Sequence, residues 1–195
     1  MHTNCFIGGA FVPASAGRTF TVRNPANDAA VAEVADGGAA DARAAVAAAA
    51  AAFPAWKSMA AIERAKPLRR LAEFMHRDAE RLADLCSQEC GKPLAEARTE
   101  VAYGASFLEW YAEEGKRVYG ETIPASDPAK RLLVLRRPCG VAAAITPWNF
   151  PIAMVTRKMG PALAAGCTQV VKPAEQTPLS ALAIAALAAE AGFPA

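Results

Sequence analysis

The stretch from Ile145 to Pro178 constrains the fold more than any other part of the chain; it reads ITPWNFPIAMVTRKMGPALAAGCTQVVKPAEQTP. The apolar run from Val141 to Ile145 ends shortly before Pro147, and helical spacing resumes after this turn. A second apolar run then leads into Lys172. This order predicts a strand–turn–helix–strand unit with polar groups at the carboxyl ends of both strands, which is where open α/β sheets bind ligands.

Residues 1–40 have the pattern of a β-rich arm. Three short β-like runs, at 5–7, 19–22 and 31–34, alternate with turns rich in glycine, serine and asparagine. Asp41 is placed to cap the alanine-rich helix that follows, and Pro54 is expected to end it.

Residues 41–120 predict a series of packed helices. After the alanine-rich helix, one long amphipathic helix is expected to end at Gly91, with an apolar stripe of Leu68, Leu71, Met75, Leu82 and Leu85. Pro93 can start the next helix, whose apolar positions are Val101, Ala105, Leu108 and Ala112. Stripes of this kind indicate that both helices contribute to a common core.

The last part of the chain divides into two segments. Residues 121–140 contain the β-like run RLLVLR at 131–136, which would be an exposed sheet edge if it had no partner. Residues 141–195 hold the strand–helix–strand unit and a last helix from Pro178 to Ala191. We expect the inward face of that helix to carry Leu179, Leu182, Ala186 and Ala189.

Composition excludes several classes of protein. The chain has 195 residues, a formal net charge of +2 and 21% charged residues, so no charge excess indicates a nucleic-acid partner. The alanine-rich run is too short for a membrane span, and the amino terminus lacks the pattern of a signal peptide. Five cysteines without framework spacing favour a reducing cytoplasm.

Several motifs together resemble the aldehyde dehydrogenase superfamily: TPWNFP, GPALAAGC and VVKPAE. Three further stretches, GKPLAEA, ASFLEWYAEEGKRVYGETIP and TRKMGPALAAGCT, are similar to its succinate-semialdehyde branch. The resemblance implies an α/β fold with helices, a β arm and the first strands of a Rossmann-like parallel sheet, with 121–140 as an oligomerisation segment. It also implies that the chain is an incomplete, amino-terminal part, with the nucleophilic cysteine and general-base glutamate expected beyond residue 195.

The resemblance assigns an oxyanion-binding role to Asn149. Attack on an aldehyde places negative charge on the former carbonyl oxygen, and a fixed side-chain amide N–H can stabilise that charge. From the local residues alone, a turn asparagine between Trp148 and Phe150 is an equally good interpretation.

Resemblance also implies a dinucleotide site at the two strand ends. Lys172 and Glu175 would bind the adenosine ribose, and Ile145, Thr146, Pro147 and Trp148 would contact the nicotinamide side. A carboxylate at Glu175 would repel a 2′-phosphate, which favours NAD, with NADP as the alternative. Local sequence alone favours a solvated lysine and glutamate, and apolar strand ends usually only build the core.

Arg157 corresponds, by resemblance, to an arginine that holds the distal carboxylate of the substrate. The alternative is an arginine on the exposed surface of a helix, without a functional role.

The implied function is NAD(P)-dependent oxidation of succinate semialdehyde to succinate in a longer, homo-oligomeric parent. Glutarate semialdehyde or another short acid aldehyde is an alternative substrate. The alternative is an inactive fragment that at most binds dinucleotide partially or oligomerises. No metal site, nucleic-acid partner or membrane contact is expected.

Overall fold

The computed structural model describes residues 1–194 and shows a mixed α/β architecture. Its strands are β1 (Cys5–Ile7), β2 (Ala10–Val12), β3 (Thr19–Arg23), β4 (Ala30–Ala35), β5 (Glu121–Ile123), β6 (Leu132–Val134), β7 (Val141–Ile145) and β8 (Thr168–Lys172). Its helices are α1 (Ala39–Ser58), α2 (Ala61–Arg77), α3 (Ala79–Cys90), α4 (Leu94–Glu114), α5 (Ala153–Ala164) and α6 (Pro178–Ala191). The predicted fold class is therefore confirmed.

Strands β1 to β6 form three antiparallel hairpins, which pair β1 with β2, β3 with β4, and β5 with β6. The predicted runs at 5–7, 19–22 and 31–34 are all strands. Strand β2 was not predicted, because its three residues follow the Gly8–Gly9 turn too closely to show an alternating pattern. The β-like run at 131–136 has a partner in β5, although both strands remain exposed.

Helix α1 extends beyond the predicted end at Pro54 and reaches Ser58. Tertiary contacts outweigh the lost hydrogen bond, because Trp56 is buried and its indole N–H donates to the Leu163 carbonyl at 3.1 Å. At the other end, Asp41 acts from inside the first turn, where its carboxylate accepts the Gly38 N–H at 2.8 Å. The N-cap residue is Gly38 and not Asp41, so the predicted position of the cap is wrong, although Asp41 satisfies the N–H group of the N-cap residue.

The predicted long helix before Gly91 is in fact two helices, α2 and α3, separated at Asp78. Arg77 and Arg81 both donate to the Asp78 carboxylate at 2.8 Å, and its backbone leaves helical geometry with ψ at 17°. The apolar stripe is nevertheless buried throughout, so the sequence pattern located the core correctly and missed only the bend. Gly91 ends α3 in the left-handed conformation that favours glycine.

The core lies between α2, α4 and the three helices packed against them, α3, α5 and α6. The four predicted apolar positions of α4 are all buried. The predicted inward face of α6 is correct for Leu179, which is buried, and for Leu182, which packs against the core, but wrong for Ala189, which is exposed; the other buried positions are Ala183, Ile184 and Leu187. Nearly every residue of α6 is apolar, so the sequence offered no polar face from which to choose the orientation.

Strands β7 and β8 form a parallel pair in which Val141 lies opposite Thr168 and Ile145 lies opposite Lys172. Helices α1 and α5 both contact this pair, and the Thr168 hydroxyl donates to the Ala49 carbonyl of α1 at 2.7 Å. The carboxyl ends of the two strands therefore lie at one edge. Within residues 1–194, no helix is both long and apolar enough to cross a membrane.

Candidate functional site

The candidate site is the edge at which β7 and β8 end side by side. Ile145 and Lys172 are register partners, and the Thr146 N–H extends the ladder by donating to the Lys172 carbonyl at 3.1 Å. Two segments leave this edge, one carrying Asn149 towards α5 and the other carrying Glu175 towards α6. The structure thus brings together the two strand ends that the sequence identified separately.

Lys172 and Glu175 form an ion pair on this edge, with the ammonium and carboxylate 2.8 Å apart and both side chains exposed. The hydrogen bond from Lys172 lowers the pKa of Glu175, so the carboxylate is ionised at neutral pH. The pair presents a hydrogen-bond acceptor and a cation to solvent, which is chemistry that suits the hydroxyl groups of a ribose.

The apolar residues at the end of β7 are unusually open. Ile145 is 81% exposed and Trp148 is 56% exposed, and Pro147 between them is also exposed. Among residues 145–148, only Thr146 is buried. Within residues 1–194, these exposed apolar groups are available as a contact surface.

Two residues at the junction of α3 and α4, Cys90 and Lys92, contact the backbone turn around Asn149. Lys92 donates to the Asn149 carbonyl at 3.1 Å, and its ammonium lies 4.0 Å from the centre of the Phe150 ring. The Cys90 thiol contacts the Trp148 carbonyl at 3.6 Å. The backbone of this turn is therefore fixed, whereas the Asn149 residue itself is exposed.

Buried Glu100 fixes the start of α5, directly after the turn. Its carboxylate accepts the N–H groups of Ile152 at 2.8 Å and Ala153 at 3.1 Å, and it forms an ion pair with the largely buried Lys92. A carboxylate at a helix amino terminus satisfies free N–H groups and interacts favourably with the helix dipole. One glutamate thus connects α4, the Lys92 anchor and α5.

Buried Glu89 performs the same task for α6. It accepts the N–H groups of Leu179 at 2.7 Å and Ser180 at 2.8 Å. Burial raises the pKa of Glu89 to about 7, and the hydrogen bonds from Ser180 and Leu179 offset only part of that increase. The helices that follow both strands of the candidate site therefore begin on carboxylates supplied by α3 and α4.

Lys92, Glu89 and Glu100 were not predicted as site residues, although the sequence carries a usable signal for the two glutamates. Glu89 continues the buried row of α3 at helical spacing from Leu85 and Cys86, and Glu100 lies beside Val101 on the buried side of α4. A charged residue on an apolar stripe requires a buried polar partner. The sequence does not reveal which partner, because the partners are 52 to 91 residues away.

Arg157 lies on the exposed side of α5, and its guanidinium is 5.6 Å from the centre of the Phe107 ring of α4. Phe107 in turn packs against Tyr103, with ring centres 4.7 Å apart. Tyr103 and Phe150 line a groove of about 230 Å³. A row of aromatic side chains therefore leads from the turn containing Asn149 to Arg157.

Side chains of the types that bind metal ions do not cluster at this edge within the described residues. Over the described part of the chain, 1–194, no group of three histidine, cysteine, aspartate or glutamate side chains is arranged to hold a metal ion. Cys86 and Cys90 instead hydrogen-bond to Glu100 and to the Trp148 carbonyl, and burial raises the pKa of both thiols.

The comparison with protein families matches residues 11–195 to the model described as the aldehyde dehydrogenase family. The chain belongs to the aldehyde dehydrogenase family. Its organisation agrees with this assignment, because a solved structure of an Escherichia coli NADP-dependent enzyme, 54% identical, superposes on all of this chain with a TM-score of 0.98. The match uses 40% of that enzyme.

Three relatives show equal identity to this aldehyde dehydrogenase chain. Glutarate-semialdehyde dehydrogenase of Pseudomonas aeruginosa is 56% identical over 97% of the chain, and succinate-semialdehyde dehydrogenase [NADP(+)] of Escherichia coli has the same values. The 3-sulfolactaldehyde dehydrogenase of Pseudomonas putida is 56% identical over 100% of the chain. The chain spans 39% to 40% of the length of these relatives.

Proposed function

We propose that this chain forms the amino-terminal part of an NAD(P)-dependent semialdehyde dehydrogenase, which oxidises an aldehyde bearing a distal acid group to the carboxylic acid. The observation that carries the proposal is the parallel register of β7 and β8, which places the Asn149 turn beside the Lys172–Glu175 pair. Family membership supports the reaction class, and the geometry of this edge supports the division of roles between the two strand ends.

In this proposal Asn149 stabilises the oxyanion that forms when a nucleophile attacks the aldehyde carbon. The amide N–H groups of its exposed side chain are free to face a ligand, while Lys92 fixes its backbone carbonyl. A donor that needs no reorganisation during the reaction is worth more than a mobile one. Lys92 and Glu100 therefore position Asn149 without touching the substrate.

The dinucleotide fits the other half of the same edge. Glu175 and Lys172 would hold the adenosine ribose, and exposed Ile145, Pro147 and Trp148 would contact the nicotinamide side. When bound, NAD(P) supplies the acceptor for hydride. We propose NAD as the preferred form, because ionised Glu175 would repel a 2′-phosphate, although Lys172 partly compensates that charge.

The proposed substrate is succinate semialdehyde, with glutarate semialdehyde as the alternative. The names of the three relatives describe different aldehydes, and each of these carries a second, anionic group. Arg157 would bind that group, since a guanidinium forms two parallel hydrogen bonds with a carboxylate. The aromatic row through Tyr103 and Phe107 supports this role, because it connects Arg157 to the Asn149 turn.

Dinucleotide binding tests the cofactor half of the proposal. Isothermal titration calorimetry of the purified chain with NAD and NADP is expected to show saturable binding with a preference for NAD. Glu175→Ala should weaken NAD binding at least about tenfold, because charge-assisted hydrogen bonds are lost, and should reduce the preference. Glu73→Ala, on the exposed side of α2, is the matched control. Equal affinities of wild type and Glu175→Ala for NAD would remove Glu175 from the site.

A chimera tests the catalytic half. Residues 1–195 would replace the matching part of the Escherichia coli relative, and NAD(P)H formation would be measured with succinate semialdehyde, glutarate semialdehyde and an unsubstituted aldehyde of similar length. Asn149→Ala is expected to lower kcat about 100-fold or more, the usual effect of removing one oxyanion donor. Arg157→Lys should raise KM for the two acid aldehydes only. An Arg157→Lys chimera with unchanged KM values would exclude the substrate role.

The β5–β6 hairpin supports a second, independent function, self-association. Leu133 is 69% exposed and Leu135 is 64% exposed, and the remaining apolar residues of both strands are also open. An exposed apolar hairpin with free edges is a surface for pairing with another copy of the chain. We propose that it contributes to a homo-oligomer.

A further inference from the structure

Cys139 and Cys167 lie next to each other at the opposite end of the β7–β8 pair from the candidate site. Their sulfur atoms are 3.7 Å apart, and neither cysteine is in a disulfide. The strand register explains this distance. Val141 is paired with Thr168, so the residues just before each strand run side by side.

Packing around the two cysteines keeps their backbones close. Gly166 adopts φ of +91°, and a Cβ atom at this position would lie 2.9 Å from Pro138 Cγ. The residue before Cys139 therefore packs directly on the residue before Cys167. Any larger side chain at Gly166 would separate the two segments.

The two thiols differ in access. Cys139 is exposed, whereas Cys167 is buried. The hydrogen bond with Cys167 and then the charge of Cys167 raise the pKa of Cys139, so little of its thiolate is present at neutral pH and alkaline pH is needed to form it. The remaining cysteines are Cys5, Cys86 and Cys90, and burial raises the pKa of each of them.

We propose that Cys139 and Cys167 form an oxidisable dithiol that closes to a disulfide across the amino ends of β7 and β8. The oxidant is a hydroperoxide, with hydrogen peroxide as the probe. The Cys139 thiolate attacks one peroxide oxygen and becomes a sulfenic acid, with release of water after protonation. The Cys167 sulfur then attacks the Cys139 sulfur, forming the S–S bond and releasing a second water. Two thiols and one peroxide thus give one disulfide and two waters.

This disulfide would enclose the Asn149 turn and α5 in a loop, because the two cysteines are 28 residues apart. Closing such a loop restricts the unfolded chain and stabilises the native one. The proposal does not depend on the function proposed above, since it concerns the ends of the strands remote from Asn149 and Glu175.

The test is thiol mapping of the purified chain. Wild type, Cys139→Ser and the matched control Cys5→Ser would be treated with hydrogen peroxide at pH 8, alkylated under denaturing conditions and digested. In wild type and in Cys5→Ser we expect the intact protein to lose about 2 Da before alkylation, and the digest to contain a peptide pair linked through Cys139 and Cys167. Cys139→Ser should show neither. A rise in Tm of roughly 5–10 °C, reversed by dithiothreitol, should accompany the link.

Three results would overturn the proposal. One is a chain with all five cysteines still alkylatable after oxidation. Another is oxygen addition at Cys139 without a linked peptide, and the third is a link between two molecules, seen as a dimer on a non-reducing gel. Because Cys139 is exposed, Cys139→Ser should fold as wild type does, and its unchanged Tm before oxidation checks this.

Discussion

The replacement Glu89→Gln gives a specific prediction about how stability depends on pH. Burial raises the pKa of the Glu89 carboxyl to about 7, whereas its ordinary value is 4.5. An unfolded chain exposes this group to water, so it releases its proton near the ordinary value. Between these two pH values, the folded chain holds a proton on Glu89 that the unfolded chain has lost.

The sign of the effect follows from this difference in bound protons. The native state binds more protons between pH 4.5 and 7, so the free energy of unfolding falls as pH rises through that window and levels off above it. The full difference corresponds to about 3 kcal/mol, because one pKa unit is worth about 1.4 kcal/mol. This stabilisation is fully present only below pH 4.5.

Other carboxyl groups act in a different window. Hydrogen bonds from Arg77 and Arg81 lower the pKa of Asp78 to about 2, and Lys116 and Arg69 do the same for Glu113. Their contributions are lost only as pH falls through the acid range, which lies below the window of Glu89. The two effects can therefore be separated by the choice of pH.

Urea unfolding followed by circular dichroism at pH 5, 6, 7 and 8 is the measurement. Wild type and Glu73→Gln, a substitution on the exposed side of α2, should lose stability between pH 5 and 7. Glu89→Gln should show a flatter profile, because an amide does not titrate. If Glu89→Gln keeps the slope of wild type, burial of Glu89 does not control the pH dependence.

Three further predictions concern the anchor, the core and the hairpin. Lys92→Met should lower the free energy of unfolding in urea by about 3–5 kcal/mol, because it leaves the buried Glu100 charge unpaired. The double variant Lys92→Met, Glu100→Gln should recover part of this loss, and no recovery would contradict the pairing. Gly104→Ala should lower the free energy of unfolding by about 1–3 kcal/mol, since the new Cβ would lie 3.0 Å from Ile152 Cγ2. An unchanged free energy of unfolding would show that the neighbouring side chains can move to accommodate the methyl group. Leu133→Lys should shift the chain towards monomer in sedimentation velocity with unchanged Tm, and an unchanged sedimentation coefficient would exclude the hairpin as the contact.

Sequence patterns located elements well where chemistry and periodicity agreed. The bounds of β7 and α6 were predicted correctly, because Pro147 lies just after β7, Pro178 begins α6, and apolar runs fill both elements. The bend at Asp78 was missed, since the apolar stripe continues across it without a change of period. The orientation of α6 could not be read from a helix that is apolar on all sides.

Part of the candidate site was also predictable from the sequence. Lys172 is the last residue of β8 and Asn149 follows β7, and parallel strands bring such residues to a common edge. The residues that hold this edge were not predictable, because Lys92, Glu89 and Glu100 act on segments distant in sequence. Short patterns carry no information on such pairings, which depend on how α3 and α4 pack.

The placement of the two buried glutamates also determines when they can be buried. Synthesis proceeds from the amino terminus, so α3 and α4 emerge from the ribosome before α5 and α6 exist. Until then, the backbone N–H groups that Glu89 and Glu100 bind in the native structure are missing, and the helices that carry these glutamates expose apolar faces. Only after residue 180 has emerged can both glutamates meet their backbone partners. Each helix that follows a strand of the site therefore begins on a carboxylate that was synthesised before it.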